Sequence, residues 1–265
     1  MGGTRTSGGN SGRANSTGGT RDGRGGLGNV LSGIVVAIGF VLFLGGFLWG
    51  ALLYQPYTVP TDSMLPTVNP GDRVLAQRID GSQVRRGDVV VFTDAAWSAS
   101  PMVKRVVAVG GDKVSCCGPS GRLTVNGKEL DEPYIAPADT MTLGKTAASG
   151  SSFEVTVPEG NLFLLGDRRG NSLDSRSHLQ EAGQGTMSRS AVHARVDALA
   201  WPSPRMLERP DAFAALPGGT SRPGPLRLQV TAVVAGAALV FLGAAYGPLV
   251  RLLGGGRRRG RPDAR

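Results

Sequence analysis

Ser63, in the run Val59-Pro-Thr-Asp-Ser-Met-Leu-Pro-Thr-Val68, and Lys104, in Val103-Lys-Arg-Val-Val-Ala-Val109, are the two residues whose types allow nucleophilic catalysis between them. A serine hydroxyl attacks poorly until its proton is removed, and an uncharged lysine amine can remove it. Lysine ordinarily keeps its proton up to a pKa of about 10.4, but desolvation against apolar neighbours lowers that by several units. Lys104 has such neighbours. In an extended strand it shares one face with Val106 and Ala108, while Arg105 takes the other. Pro60 and Pro66 flank Ser63 and limit the shapes of the intervening turn. That stiffness matters, because a misplacement of about 1 Å can cost about a hundredfold in rate. Taken singly, each residue also has a plain reading: a loop serine, and an edge-strand lysine with its head in water.

Other chemistries find less support. The two histidines, His178 and His193, lack the partners of a Ser-His-Asp triad and the spacing of a zinc site. His193 reads as a structural histidine in an apolar strand and His178 as part of a polar loop. No metal is indicated. Cys116 and Cys117 are adjacent, which leaves open a vicinal disulfide, two free thiols or pairing between chains.

The elements that must position Ser63 begin with a membrane-length segment. Val30 to Tyr54 carries no charge, and about 20 apolar residues suffice to cross a bilayer. A secretory signal peptide is the alternative, but the apolar run is longer than the usual 7 to 15 residues and lacks an A-x-A exit. The predicted organisation is a disordered basic tail (1–28), a membrane helix (29–54), an extracytoplasmic catalytic domain (55–202), a linker (203–225), a second membrane helix (226–250) and a basic tail (251–265). The second span is Gly- and Ala-rich and contains Pro248, so a buried helix or a surface hairpin competes with it.

The net charge of +9 is concentrated at the ends. Residues 1–28 carry +3 and residues 251–265 carry +5, leaving +1 for everything between. Basic clusters outside two apolar spans put both tails in the cytoplasm by the positive-inside rule, where their arginines can meet anionic lipid. The central region has no electrostatic support for binding nucleic acid.

Between the spans the pattern is short apolar runs broken by Gly, Pro and Asp. It predicts strands at Arg73–Gln77, Asp88–Thr93, Met102–Val109, Lys113–Cys116, Leu123–Val125, Phe153–Val157, Leu162–Leu165 and Ala191–Ala198. Asn126-Gly127 signals a type I′ hairpin turn. Residues 135–152 read as a loop excursion. The fold class is mainly β, flanked by two transmembrane helices.

Five ordered blocks over residues 30–202 now resemble one family. They are the apolar anchor, Tyr57–Val68 continuing into Gly71-Asp-Arg-Val-Leu75, Arg86-Gly-Asp-Val-Val-Val-Phe92, Val103–Val114, and Gly166-Asp-Arg-Arg-Gly-Asn-Ser-Leu-Asp-Ser-Arg176. The chain is similar to bacterial type I signal peptidases, membrane-anchored Ser-Lys endopeptidases. Its Gly, Ala and Arg content and C-terminal span resemble members from high-GC Gram-positive bacteria. The resemblance implies a Ser-Lys protease β-fold with Ser63 as nucleophile and Lys104 as general base. It implies an oxyanion hole made by the Thr61 hydroxyl and the Ser63 N–H. Ser172 would orient the amine, Asp174 would support the region with Arg176 as its ion-pair partner, and Asp167 and Asn171 would brace the turn.

The implied substrates are exported preproteins cut after A-x-A-like sites, with membrane lipids and a nearby secretion translocon as surroundings and no cofactor. Val59, Pro60 and Met64 are candidates for lining the substrate pockets or for core packing. Three departures stand out: Arg168 and Gly170 replace the Asn and Asp common in relatives, and Ser177-His178 replaces an aromatic pair. The competing readings are an inactive binding protein of the same fold, a self-cleaving Ser-Lys repressor, and a histidine-dependent eukaryotic-type signal peptidase. Intact Ser63 and Lys104, the two spans and the Val-Lys-Arg-Val block disfavour these in turn.

Overall fold

The structure is a computed structural model that describes residues 23–135 and 152–255. Expectations for residues 1–22, for nearly all of the 135–152 excursion and for residues 256–265 lie outside the described residues. Helix α1 (Gly23–Leu53) starts earlier than residue 29, so the last residues of the expected tail are helical. Within it Gly28–Leu53 is long and apolar enough to cross a membrane, as is Leu226–Leu249 at the other end of the chain.

The described residues form two compact units, one holding helix residues up to Phe43 and from Val234 onward, the other Leu44–Val233. In the second unit the chain leaves α1 directly into β1 (Tyr54–Thr58), then forms β2 (Arg73–Arg78), β3 (Val89–Asp94) and β4 (Ser98–Val109). β5 (Lys113–Cys116), β6 (Leu123–Val125), β7 (Lys128–Glu129) and β8 (Phe153–Thr156) follow, then β9 (Asn161–Leu165), β10 (Thr186–Ser188), β11 (Val192–Trp201) and β12 (Arg205–Met206). Among the described residues the strand pairings are antiparallel, in two sheets: β1-β2-β11-β3-β4-β9-β10 with β12 beside β11, and β7-β6-β5-β8.

The eight strands expected from the sequence are all present, most with ends shifted by a residue or so; β4 starts four residues early and β11 runs three residues further. Asn126 and Gly127 take positive φ of 54° and 77° at the β6–β7 turn, as a type I′ hairpin requires. One apolar cluster joins Val107 and Phe163 of the large sheet to Val114, Leu123 and Val155 of the small one. A second lies under the Ser63 segment, where Val59, Met64 and Val68 meet Val74, Val91 and Val196.

The expected linker 203–225 is a packed strap. β12 pairs with β11, Leu207, Phe213 and Leu216 are buried, and a short helix α2 (Asp211–Ala214) carries Phe213 into the core. Polar ties hold it as well. Arg209 Nη2 donates to Asp197 Oδ1 at 2.6 Å and Gly224 N–H donates to Asp197 Oδ2 at 3.0 Å. Tyr54 Oη donates to the same carboxylate at 2.9 Å, and burial with the Asp197 charge pushes the phenol pKa well up. The strap then leads into helix α3 (Leu226–Gly255). Its anchors are single side chains in an irregular backbone, so they leave no periodic trace in the sequence.

Candidate active site

The Ser63 turn is built from its own backbone. Val59 N–H donates to Asp72 O and Gly71 N–H to Val59 O, closing the segment at its base, while Leu65 N–H donates to Asp62 O across the nucleophile position. Gly71 sits at φ +86°, a conformation that side-chain-bearing residues rarely adopt. Met64 is fully buried beneath this turn and anchors it in the core.

β4 delivers Lys104. Lys104 pairs with Val90 of β3, and its side chain is buried, with Nζ donating to Ser63 Oγ at 2.6 Å. Burial pushes the Lys104 amine down to about 8; the Asp174 charge opposes this, Arg176 reinforces it, and Asp167 and Asp62 oppose it. Thr61 Oγ1 lies 3.3 Å from Ser63 Oγ on the exposed side.

Arg105, on the opposite face of the strand, organises the floor. Its Nε donates to Asp167 Oδ1 at 2.8 Å, its Nη2 to Asp167 Oδ2 at 2.6 Å and its Nη1 to Gly87 O at 2.9 Å. Thr67 Oγ1, from the nucleophile turn, donates to Asp167 Oδ2 at 2.5 Å. Arg105 also lies 4.1 Å over the Tyr134 ring. Burial works against the guanidinium charge, but Asp167 more than restores it and its pKa is raised.

The turn after β9 forms the remaining wall. Arg168 N–H donates to Ser63 O at 3.0 Å, so this turn grips Ser63 directly. A Cβ at Gly166 would fall 2.1 Å from Ser172 Oγ and 2.5 Å from Ser63 O, which reserves the position for glycine. Asp174 is buried and accepts from Gly166 N–H at 3.0 Å, from Arg176 Nε at 2.9 Å and from Arg176 Nη2 at 2.7 Å. Burial opposes its ionisation, yet the Arg176 hydrogen bonds and charge hold the carboxyl below the usual range.

Ser172 departs from expectation. Its buried Oγ makes no hydrogen bond to the Lys104 amine in this structure and instead favours the charged form of Asp174.

Ser63 and Lys104 open onto a groove of about 400 Å³ whose lining includes Val59, Pro60, Thr61, Trp97, Met102 and Leu173. Of the three candidate lining residues, Val59 and Pro60 border it, whereas Met64 belongs to the core. A larger hollow of about 620 Å³ beyond Arg105 holds neither Ser63 nor Lys104.

The histidines exchange their expected settings. His178 is buried, stacks on Trp97 at 4.4 Å between ring centroids and shares Nδ1 with Glu181 Oε1 at 2.6 Å. His193 is exposed, because its place on β11 alternates outward between buried Val192 and Ala194. Cys116 and Cys117 are joined to each other as a disulfide. Sequence reasoning gave no role to Asp62, Trp97 or the Glu132–Arg169 pair; Asp62 and Arg169 lie inside quoted motifs, but each acts through a contact distant in sequence.

The sequence model of the family described as signal peptidase, peptidase S26, matches residues 28–201, a span that holds all the groups above. The chain belongs to this signal peptidase family. A probable signal peptidase I of Mycobacterium leprae is 32% identical over 223 residues, covering 64% of this chain and 75% of the relative. The signal peptidase I of Mycobacterium tuberculosis H37Rv is 31% identical over 221 residues, covering 66% and 72%. A signal peptidase I structure from Enterococcus faecalis V583 has 28% identity and a TM-score of 0.35, covering 42% of this chain and 94% of its own. Membership of the signal peptidase family makes the chain a peptidase, and its two apolar helices make it membrane-anchored.

Proposed function

We propose that the chain is a signal peptidase I that cleaves signal peptides from exported preproteins with a Ser63–Lys104 dyad. The observation that carries this reading is the 2.6 Å hydrogen bond from a buried Lys104 amine, its pKa pushed down to about 8 by burial, to Ser63 Oγ at the edge of an open groove. Neutral Lys104 takes the Ser63 proton as Oγ bonds to the scissile carbonyl carbon. The carbonyl electrons move onto oxygen, where the Thr61 hydroxyl and the Ser63 N–H donate to the oxyanion. One such donor contributes about 3 to 4 kcal/mol. The collapsing intermediate expels the amine, which takes its proton from the Lys104 ammonium. Water, deprotonated by Lys104, then splits the ester and returns the Ser63 hydroxyl.

Asp174 is not the immediate base. Held ionised by Arg176, it would raise the lysine pKa rather than lower it, and its part is to fix the Gly166 turn. Asp167 braces the opposite side through Arg105 and Thr67. The groove borders of Val59 and Pro60 suit small P1 and P3 side chains, the A-x-A pattern. Both tails lie in the cytoplasm and the peptidase unit outside it, close to lipid and to the secretion translocon. Anchoring enzyme and precursor in one bilayer raises their effective concentration.

Cleavage of an A-x-A precursor in detergent-lipid micelles tests the dyad. Wild type should cut, while Ser63→Ala and Lys104→Ala, shown folded by circular dichroism, should each lose at least about a thousandfold. Activity surviving in either folded variant removes that residue from the mechanism. A folded wild type inactive on several precursors favours the binding-protein reading instead.

A further inference from the structure

The structure gives Arg168 two contacts on the Ser63 turn. Its backbone N–H holds Ser63 O at 3.0 Å, and its guanidinium forms an ion pair with Asp62, the residue immediately before Ser63. Asn171 Nδ2 completes the arrangement, reaching both Asp62 oxygens at 3.2 Å. Asp62 and Asn171 both line the groove, so the clasp stands beside the reacting groups and not behind them.

The placement has an electrostatic consequence. The groups that act on the Lys104 amine are Asp174 and Arg176 from the turn after β9, Asp167 from the end of β9, and Asp62 from the nucleophile turn. Asp174 is answered by Arg176 and Asp167 by Arg105, both buried pairs. Asp62 is the third carboxylate, and its answering cation is Arg168. Each of these three carboxylates thus has an arginine, and the third of these pairs depends on Arg168.

We propose that Arg168 is a positioning residue for the Ser63–Lys104 reaction: with Asn171 it clamps Asp62 against the turn after β9, fixing the nucleophile segment and countering the Asp62 charge at the catalytic amine. The proposal rests on the dyad reading above. An Asp62 carboxylate released from Arg168 favours the Lys104 ammonium, and the base then needs a higher pH to work. Removing Asp62 has the opposite sign. A role confined to holding the turn predicts no such reversal.

The test is the pH profile of kcat/KM for the full-length enzyme on one precursor, for wild type, Arg168→Ala, Asp62→Asn and the double variant. The chain has four lysines, Lys104, Lys113, Lys128 and Lys145, so ¹³Cε-lysine NMR can follow the Lys104 titration even in a slow variant. Arg168→Ala should move the acid limb and the NMR midpoint up by about half a pH unit or more. Asp62→Asn should move both down, and the double variant should lose most of the upward shift. Arg168→Lys should restore part of it.

A lower kcat with unmoved midpoints, or an upward shift retained in full without Asp62, overturns the proposal. Cleavage that persists in Lys104→Ala fails differently, since it removes the dyad reading itself and the clasp's purpose with it.

Discussion

Lys104 couples catalysis to stability through one proton. Its ammonium is buried and its folded-state value is pushed down to about 8 by that burial, against an ordinary value of 10.5. The proposed dyad works with the neutral amine, so kcat/KM should rise with pH to a half-point of about 8 and fall away below it. The stability effect follows by linkage. Between pH 8 and 10.5 the unfolded chain holds this proton and the folded chain does not, so stability from this group rises with pH across that window and is least below it. At about 1.36 kcal/mol per unit, the penalty below pH 8 is at most about 3 kcal/mol. Lys104→Met should therefore be inactive yet more stable at pH 6 to 7, with the gain shrinking toward pH 10. Urea midpoints at the two pH values measure this, and an equal gain at both would sink the explanation. That Ser63 and Lys104 would meet was legible in the sequence, because flanking prolines and an apolar strand mark the two residues. Met64, Ser172 and His178 were not, because which way a side chain turns out of an irregular turn depends on partners the local sequence does not name.

The strands are joined at the active site by one buried ion pair. Arg105 of β4 meets Asp167 at the end of β9, and Thr67 from the nucleophile turn closes on the same carboxylate. Three elements therefore share one charge. Removing one partner of a buried pair leaves the other charged without compensation, a loss of about 3 to 5 kcal/mol. Arg105→Met should lose that much in denaturant titration, and cleavage should fall with it because Thr67 then rests on an unpaired carboxylate. A loss under about 1 kcal/mol would mean that water reaches Asp167 and that the pair contributes little. At this scale the sequence was informative where repetition is, in the alternating strands and the Asn126-Gly127 turn. It was uninformative over 203–225, where Phe213 and Leu216 enter the core from a segment without period and Arg209 finds Asp197 twelve residues back.

At the scale of the whole molecule, the two long helices meet by backbone. In the unit that holds residues up to Phe43 and from Val234 onward, a Cβ on Gly39 would lie 2.8 Å from Gly236 O, and one on Gly236 would lie 2.5 Å from Phe43 N. Ser32 Oγ donates to Gly243 O at 2.7 Å along the same contact. In lipid, apolar side chains gain little by leaving the acyl chains for each other, so close packing and interhelical hydrogen bonds must hold such a pair. The glycines that made the second span look weak as a membrane helix are the residues that let it approach the first. Gly236→Leu should separate the pair. Gly28 and Tyr246 give a place to read this, since a Cβ at Gly28 would sit 3.0 Å from the Tyr246 hydroxyl. Cysteines at those two positions should be bridged by a short bis-maleimide in otherwise native chain and poorly once Gly236→Leu is added. Undiminished bridging would place the energy of the contact in the Ser32 hydrogen bond, and Ser32→Ala in the same assay would then have to abolish it.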